Sequence, residues 1–264
     1  MLGLLKSGST WKWAAFGKHP VVGDYFNAGA NDPFFQAFSG WVENGYRQIS
    51  AGRRNAKNLY SWRFWAKGIQ KDSLVCGVGR DSFDTIGRPY PLFIIGTGLL
   101  AQWQRNWELL PFACETIWGQ MEYLITKRYL DFSQFEDQVR RLPSLTADWS
   151  ALSAEERNRR EKGCGAETPA REEMNKSLRS QLGAPEFLIP FDANACRDAV
   201  TDAGIWSSLL KDQDKTAPNA TFIGGLIEKS YVAVFKRPLA VQDFIRLWSV
   251  ESNTSVPNGI QPSF

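Results

Sequence analysis

The single histidine limits the chemistry that this chain can perform. His19 lies in the segment Gly17-Lys18-His19-Pro20 and is the only histidine among 264 residues. Serine-triad hydrolysis, cysteine-protease chemistry and most transition-metal sites need a histidine, so each such scheme must use His19. A residue before a proline favours an extended conformation at the edge of a turn. We therefore expect His19 in a solvent-facing loop, and we keep catalysis as an alternative.

Two aspartates are the other candidates for catalysis or metal binding. Asp81 and Asp84 lie in a turn-rich segment, residues 80–91. Aspartates in turns commonly accept hydrogen bonds from nearby amides, so we expect turn formation here and no metal site. A hydrolase or phosphatase centred on His19 and these aspartates stays open as an alternative function. Residues 77–79 lack the third glycine of a dinucleotide fingerprint, so no cofactor is expected.

Composition excludes several classes of partner. The chain has 31 basic and 28 acidic residues, a net charge of +3, which gives no reason to expect nucleic acid or anionic lipid as a partner. Its longest apolar run, residues 91–100, is too short to span a bilayer, so we expect no insertion in a membrane. Its four cysteines are scattered, and we expect a cytoplasmic protein with reduced thiols. The 17 Phe, 11 Trp and 7 Tyr predict an aromatic core, with interface anchors as the alternative.

Apolar spacing predicts the elements that position these residues. Asp32-Pro33 is typical of a helix start, and the helical face that follows is Phe34, Phe38, Trp41, Gly45 and Ile49. Further helices are predicted over 110–124, from the Ser133-x-x-Glu136 capping box to Leu142, and after Pro238. Strand-like runs cover residues 11–16, 21–26, 60–66, 74–79, 92–97 and 231–235, with weaker runs at 204–210 and 221–227.

The alternation of strands and helices predicts an α/β fold. We expect a three-layer sandwich, with a mixed, partly antiparallel sheet covered by helices on both faces. Residues 1–264 are predicted to form a single domain. Residues 146–183 are interpreted as a charged mobile insertion, because residues 155–180 carry many charges of both signs; whether that segment orders on binding a partner is left open. Residues 251–264 are predicted to be a loose C-terminal tail.

Two loops carry sequence motifs that resemble a known family. Residues 16–25 read F-G-K-H-P-V-V-G-D-Y, and residues 84–92 read D-T-I-G-R-P-Y-P-L. Their order and spacing resemble the TagF family, also called ImpM, of type VI secretion system accessory proteins. Members typically carry F-G-K-x-P, then G-D-F, and later D-x-x-G-R-x-Y/F-P-L. The resemblance is strongest over residues 11–98, and Tyr25 departs from the usual phenylalanine.

The resemblance implies a function without catalysis. It implies a three-layer α/β domain that restrains assembly or firing of the secretion apparatus after translation, by binding a forkhead-associated-domain scaffold protein in a threonine-phosphorylation pathway. A structural subunit of the secretion assembly is a further alternative. The residues alone leave open the partner-binding face, the oligomeric state and the sign of the regulation.

Five residues of the two motifs form the candidate partner-binding site. We expect Gly23 and Gly87 to meet backbone requirements of their turns. Asp24 and Arg88 are predicted to form a bidentate, partly buried pair that ties the loops together, and a separation above about 8 Å would contradict this. Lys18 is then expected to remain exposed for a partner.

Overall fold

One eight-stranded sheet forms the centre of the molecule. The computed structural model describes residues 11–49, 59–163, 176, 178–181, 183–191, 199–226 and 229–250. The strands are β1 (Lys12–Gly17), β2 (Phe26–Gly29), β3 (Tyr60–Lys67), β4 (Ser73–Arg80), β5 (Leu92–Leu99), β6 (Glu186–Phe191), β7 (Ala220–Leu226) and β8 (Ser230–Phe235). Their order across the sheet is β2-β1-β5-β4-β3-β7-β8-β6.

Helices cover both faces of this sheet. The α-helices are α1 (Pro33–Gln48), α2 (Leu110–Thr126), α3 (Phe132–Arg140), α4 (Trp149–Gly163), α5 (Ala199–Gln213) and α6 (Val241–Leu247), and two short 3₁₀ turns precede α2. Within the described ranges, no helix combines the length and the apolar character that crossing a bilayer requires.

The hydrophobic core is split into two layers by the sheet. Because successive strand side chains point to opposite faces, Trp65 and Cys76 pack in the layer that holds α2 and α5. Their neighbours Phe64 and Val75 pack in the layer that holds α1 and α6. The predicted α/β class, with helices on both sides of a central sheet, is confirmed.

The sheet is antiparallel, and the prediction of a mixed sheet is corrected in this respect. All seven strand pairings in the described part of the chain are antiparallel. The successive strands β3, β4 and β5, and likewise β7 and β8, are neighbours joined by loops without an intervening helix. A direct connection of this kind reverses the chain, so these neighbours run antiparallel.

Local sequence signals located α1 accurately. The Asp32 carboxylate accepts hydrogen bonds from the amides of Phe34 (3.1 Å) and Phe35 (3.4 Å), and Pro33 is the first helical residue. This arrangement provides acceptors for donors that have no partner within the helix. The start predicted at Asp32-Pro33 is confirmed.

Three other predictions about elements were wrong. Residues 204–210, predicted as a weak strand, lie inside α5. This helix is buried on nearly all sides, so its apolar residues form a continuous run. Periodicity alone cannot distinguish such a run from a buried strand. The N-cap of α3 is Asp131, which accepts from the amide of Gln134 at 3.0 Å, and not Ser133. The strand expected over 21–26 begins only at Phe26, and β6 was not predicted.

The predicted charged insertion begins with a helix. Residues 149–163 form α4, and Arg159 pairs with Glu115 on α2 at 2.8 Å. Residues 164–175 of the segment, and the predicted tail 251–264, lie outside the described residues. The boundaries of the insertion and of the single domain therefore stay predictions.

Candidate functional site

Two loops meet at one end of the sheet. Residues 18–25 follow β1, and residues 81–91 connect β4 to β5, the neighbour of β1; we call them the loop pair. The amide of Thr85 donates to the carbonyl of Val22 at 3.0 Å, and the Arg88 guanidinium donates to the carbonyl of Gly23 at 2.7 Å. The loop pair is thus joined by both backbone and side-chain hydrogen bonds.

The buried carboxylate of Asp84 organises the loop pair. Its Oδ2 atom lies 3.0 Å from the Lys18 ammonium and accepts from Arg88 Nε at 2.6 Å. Its Oδ1 atom accepts from the amides of Ile86 (3.2 Å) and Arg88 (2.9 Å). Two cations and two amides therefore converge on one side chain, which is fully buried.

These contacts hold Asp84 in its ionised form. Burial on its own would raise the pKa of Asp84, but the Lys18 ammonium and the amide and guanidinium of Arg88, with the Ile86 amide, bring it well below its ordinary value. A carboxylate that is neutralised and hydrogen-bonded in this way is suited to holding loops in place.

The predicted pairing of Asp24 with Arg88 is present in a weaker form. Arg88 Nη2 lies 3.5 Å from Asp24 Oδ1, well inside the stated limit, but the side chains are 47% and 71% exposed. The expected bidentate, partly buried pair is therefore wrong in its geometry, because the Nε atom of Arg88 bonds Asp84 instead. The expectation that Lys18 stays exposed for a partner is also wrong: its side chain is only 12% exposed, against Asp84.

The predicted backbone requirement is confirmed at Gly87 but not at Gly23. Gly87 adopts φ +81°, a left-handed conformation that favours glycine, as predicted. Gly23 is not among the residues with positive φ, so its predicted backbone requirement is wrong. The requirement lies instead at Gly17, at the end of β1, where φ is +125° and an added Cβ would lie 2.1 Å from the carbonyl oxygen of Pro91.

His19 is buried, which corrects the prediction of a solvent-facing loop histidine. Its ring lies 5.2 Å from that of Phe135 and 5.5 Å from that of Tyr129, because α3 and its preceding loop pack over it. Nδ1 accepts from the amide of Val21 at 3.1 Å, and the ring also bonds the backbone of Ile125. Burial lowers the pKa of His19, partly offset by the Ile125 bond. The neutral ring therefore has a structural role.

Asp81, the first residue of the second loop, lines a pocket that the loop pair forms together with α1, β3 and the end of α6. The pocket has a volume of about 410 Å³, and Asp81 accepts from Trp248 Nε1 (2.8 Å) and from the amide of Tyr60 (2.9 Å). Burial raises the pKa of Asp81, although these two bonds and the charge of Arg80 oppose it. Across the described ranges, His, Cys, Asp and Glu form no cluster of three or more that could hold a metal.

Sequence reasoning missed the apolar side chains that the loop pair exposes. Tyr25, Phe83 and Ile86 are all exposed, Ile86 to 72%. We call these three residues the apolar triplet. The only available signal was a large apolar residue inside an otherwise polar turn, as at Ile86, and single exposed apolar residues are common on protein surfaces. All three lie on the loop pair, whose two loops come together only in the folded chain.

The chain resembles known proteins in both sequence and fold. Residues 14–142 match the family model described as TagF N-terminal domain, Type VI secretion system-associated. A crystal structure of PA0076 from Pseudomonas aeruginosa PAO1 aligns with a TM-score of 0.51 and 18% sequence identity, covering 96% of this chain and 98% of that chain. This second likeness concerns the fold alone. The comparison with curated proteins gave no match.

Proposed function

We propose that this protein, whose residues 14–142 match the model of the type VI secretion system-associated TagF N-terminal domain, is a non-catalytic regulator which acts by binding another protein. Its binding surface is the loop pair. Its site of action is the cytoplasm, and its effect is to repress assembly or firing of the apparatus after translation.

The apolar triplet is the observation that carries this proposal. Tyr25, Phe83 and Ile86 expose apolar surface on two loops that hydrogen-bond to each other, and burial of that surface against a partner would be favourable. Exposed Arg88 and Asp24 lie on the same loops and supply charges at the rim. Aromatic and apolar anchors with polar residues at the rim are typical of protein interfaces.

The rigidity of the loop pair also supports protein binding. Lys18 and Arg88 hold the loops through ionic bonds to the buried Asp84 carboxylate, so little conformational entropy is lost when a partner binds. The same contacts support a role without catalysis. His19 and Asp84 already have structural partners on their polar atoms, which leaves them poorly suited to proton transfer.

We propose a forkhead-associated-domain scaffold protein of the same secretion system as the partner, an identity that rests on the family resemblance. The test is a binding titration between the purified scaffold and this protein. Ile86→Asp and Phe83→Asp should each weaken binding about tenfold or more, because each places a charge in the apolar contact. Ile69→Asp is the matched control: Ile69 is 83% exposed and lies in the β3–β4 loop, at the other end of the sheet. This variant should bind like the parent protein.

Several outcomes would contradict the proposal. Absence of scaffold binding, or equal loss of binding in Ile69→Asp, would exclude the loop pair as the interface. Increased secretion upon overproduction of the protein would exclude repression. Stoichiometric recovery of the chain in the purified apparatus would favour a structural subunit instead.

A further inference from the structure

The pocket that Asp81 lines is walled by aromatic rings from several elements. Tyr46 comes from α1, Tyr60 from β3, Tyr90 from the loop pair and Trp248 from the end of α6. The Tyr46 and Tyr90 ring centroids are 4.8 Å apart, and those of Tyr60 and Trp248 are 6.4 Å apart. Its volume of about 410 Å³ is sufficient for one long side chain.

Asp81 differs from Asp84 in having no cation at ion-pair distance among the described residues. The two carboxylates are three residues apart. Asp84 contacts Lys18 and Arg88, whereas the bonds that the described residues donate to Asp81 come from the neutral Trp248 indole and the Tyr60 amide. In the described part of the chain, no Lys, Arg or His nitrogen lies within 4.0 Å of the Asp81 carboxylate. Each of its oxygens accepts one bond there and retains further acceptor capacity.

We infer that this pocket receives a lysine or arginine side chain of a protein partner. The carboxylate of Asp81 would supply the counter-charge, and the Tyr90 ring, which lines the pocket, would supply an aromatic surface that attracts a cation. A metal ion would find one carboxylate in place of a set of ligands, and an acidic group would be repelled by it. That the cation comes from a partner protein rests on the proposed function.

Arg80 carries the charge opposite to that of Asp81 in the same pocket. It also lines the pocket, and in the described chain no ion pair joins it to Asp81. A cationic occupant is repelled by Arg80 and attracted by Asp81, whereas an anionic occupant would show the reverse. The two residues therefore allow opposite predictions for the two signs of charge.

The first test needs no variant of Asp81. The Trp248 indole N–H donates to Asp81, so its ¹⁵N–¹H resonance, assigned by its absence in Trp248→Phe, reports on the pocket. N-acetyl-arginine amide should shift this resonance with a dissociation constant of about 1 mM. The neutral isostere N-acetyl-citrulline amide and N-acetyl-glutamate amide should not. An equal response to citrulline, or tighter binding of glutamate, would overturn the inference.

The second test uses variants of the two charged residues. Asp81→Asn, which keeps an acceptor for Trp248, should weaken binding of the arginine probe about tenfold or more. Arg80→Gln should bind it as well as the parent protein or better. Weaker binding in Arg80→Gln, or unchanged binding in Asp81→Asn, would contradict a cation site. Thermal unfolding of both variants identifies any loss of fold. If a variant is unfolded, the comparison of the arginine and citrulline probes on the parent protein tests the inference instead.

The source of the cation is tested separately from its chemistry. Free L-arginine that binds more tightly than the blocked probe would assign the pocket to a metabolite and overturn the assignment to a partner side chain. Failure of the scaffold to bind would leave the probe result unchanged, because the probes require no partner. The two proposals can therefore fail independently.

Discussion

At the scale of single residues, charge neutralisation explains the loop pair better than catalysis does. Asp84 is the residue on which the loops depend, since two cations and two amides contact it. The sequence singled out Asp84 as a turn residue, but gave no sign that Lys18, from a distant loop, would be its partner. Removal of this carboxylate should therefore affect both loops.

Asp84→Asn should lower stability in a pH-dependent way. The substitution leaves Lys18 and Arg88 without their shared counter-charge, and we expect a melting temperature about 5–10 °C lower at pH 7. Because folding lowers the pKa of Asp84 below its ordinary 3.8, its contribution is present above that pH and is lost as the pH falls further. The difference in melting temperature between parent and variant should thus shrink from pH 5 to pH 2.5. A constant difference would contradict this account.

His19→Phe should remove a different pH dependence. Folding lowers the pKa of His19 below 6.5, so the unfolded chain takes up a proton first and the parent loses stability as the pH falls below about 6.5. The stability of His19→Phe should not fall with pH in this way. The variant also loses the two hydrogen bonds of the His19 ring, each worth about 1 kcal/mol. Urea unfolding at pH 7.5 and 5.5 should show a variant that is less stable at pH 7.5, by a margin that narrows at pH 5.5.

The same variant addresses the hydrolase alternative. Retention of scaffold binding and of secretion control in His19→Phe would exclude catalysis through His19. Loss of secretion control in a folded variant that still binds the scaffold would support it.

At the scale of elements, a glycine fixes how β1 leaves the sheet. Gly17→Ala should destabilise the protein by about 1–3 kcal/mol or more, because φ +125° is strained for alanine and its Cβ would meet the carbonyl of Pro91 at 2.1 Å. Gly119→Ala is the control: it is exposed in α2, with nothing within 4 Å of the added Cβ. That variant should gain about 0.5–1 kcal/mol. Denaturant unfolding measures both, and equal effects would contradict the explanation.

At the scale of the whole molecule, close packing of α1 against α6 connects the core to the Asp81 pocket. The Cδ1 atom of Phe244, on α6, lies only 2.5 Å from the position that a Cβ atom on Gly45 would take. Phe244 in turn stacks on Trp248 at 4.4 Å, and Trp248 bonds Asp81. A change at the helix contact should therefore reach the pocket.

Gly45→Val should disturb both places. Overpacking should cost about 1–3 kcal/mol in urea unfolding and should shift the Trp248 indole resonance. Gly40→Val is the matched control in the same helix, since nothing lies within 4 Å of its added Cβ, and it should change stability by less than about 0.5 kcal/mol. An unshifted Trp248 resonance in Gly45→Val would disprove the connection.

Local sequence patterns were enough to predict the elements with a clear period and the chemistry of their ends. The helix start at Asp32-Pro33, the aromatic β3 and the turn at Gly87 follow from neighbouring residues, because backbone preference and side-chain period are local properties. The two motifs also identified the loops that meet.

Contacts between distant parts of the chain set which groups are buried and which groups pair. Burial of His19 depends on α3, the ion pair of Lys18 depends on the later loop, and residues 204–210 are buried because the elements around α5 enclose it. Each of these outcomes is set by residues distant in the chain. Desolvation and ion pairing depend on distance in space, which no local pattern encodes.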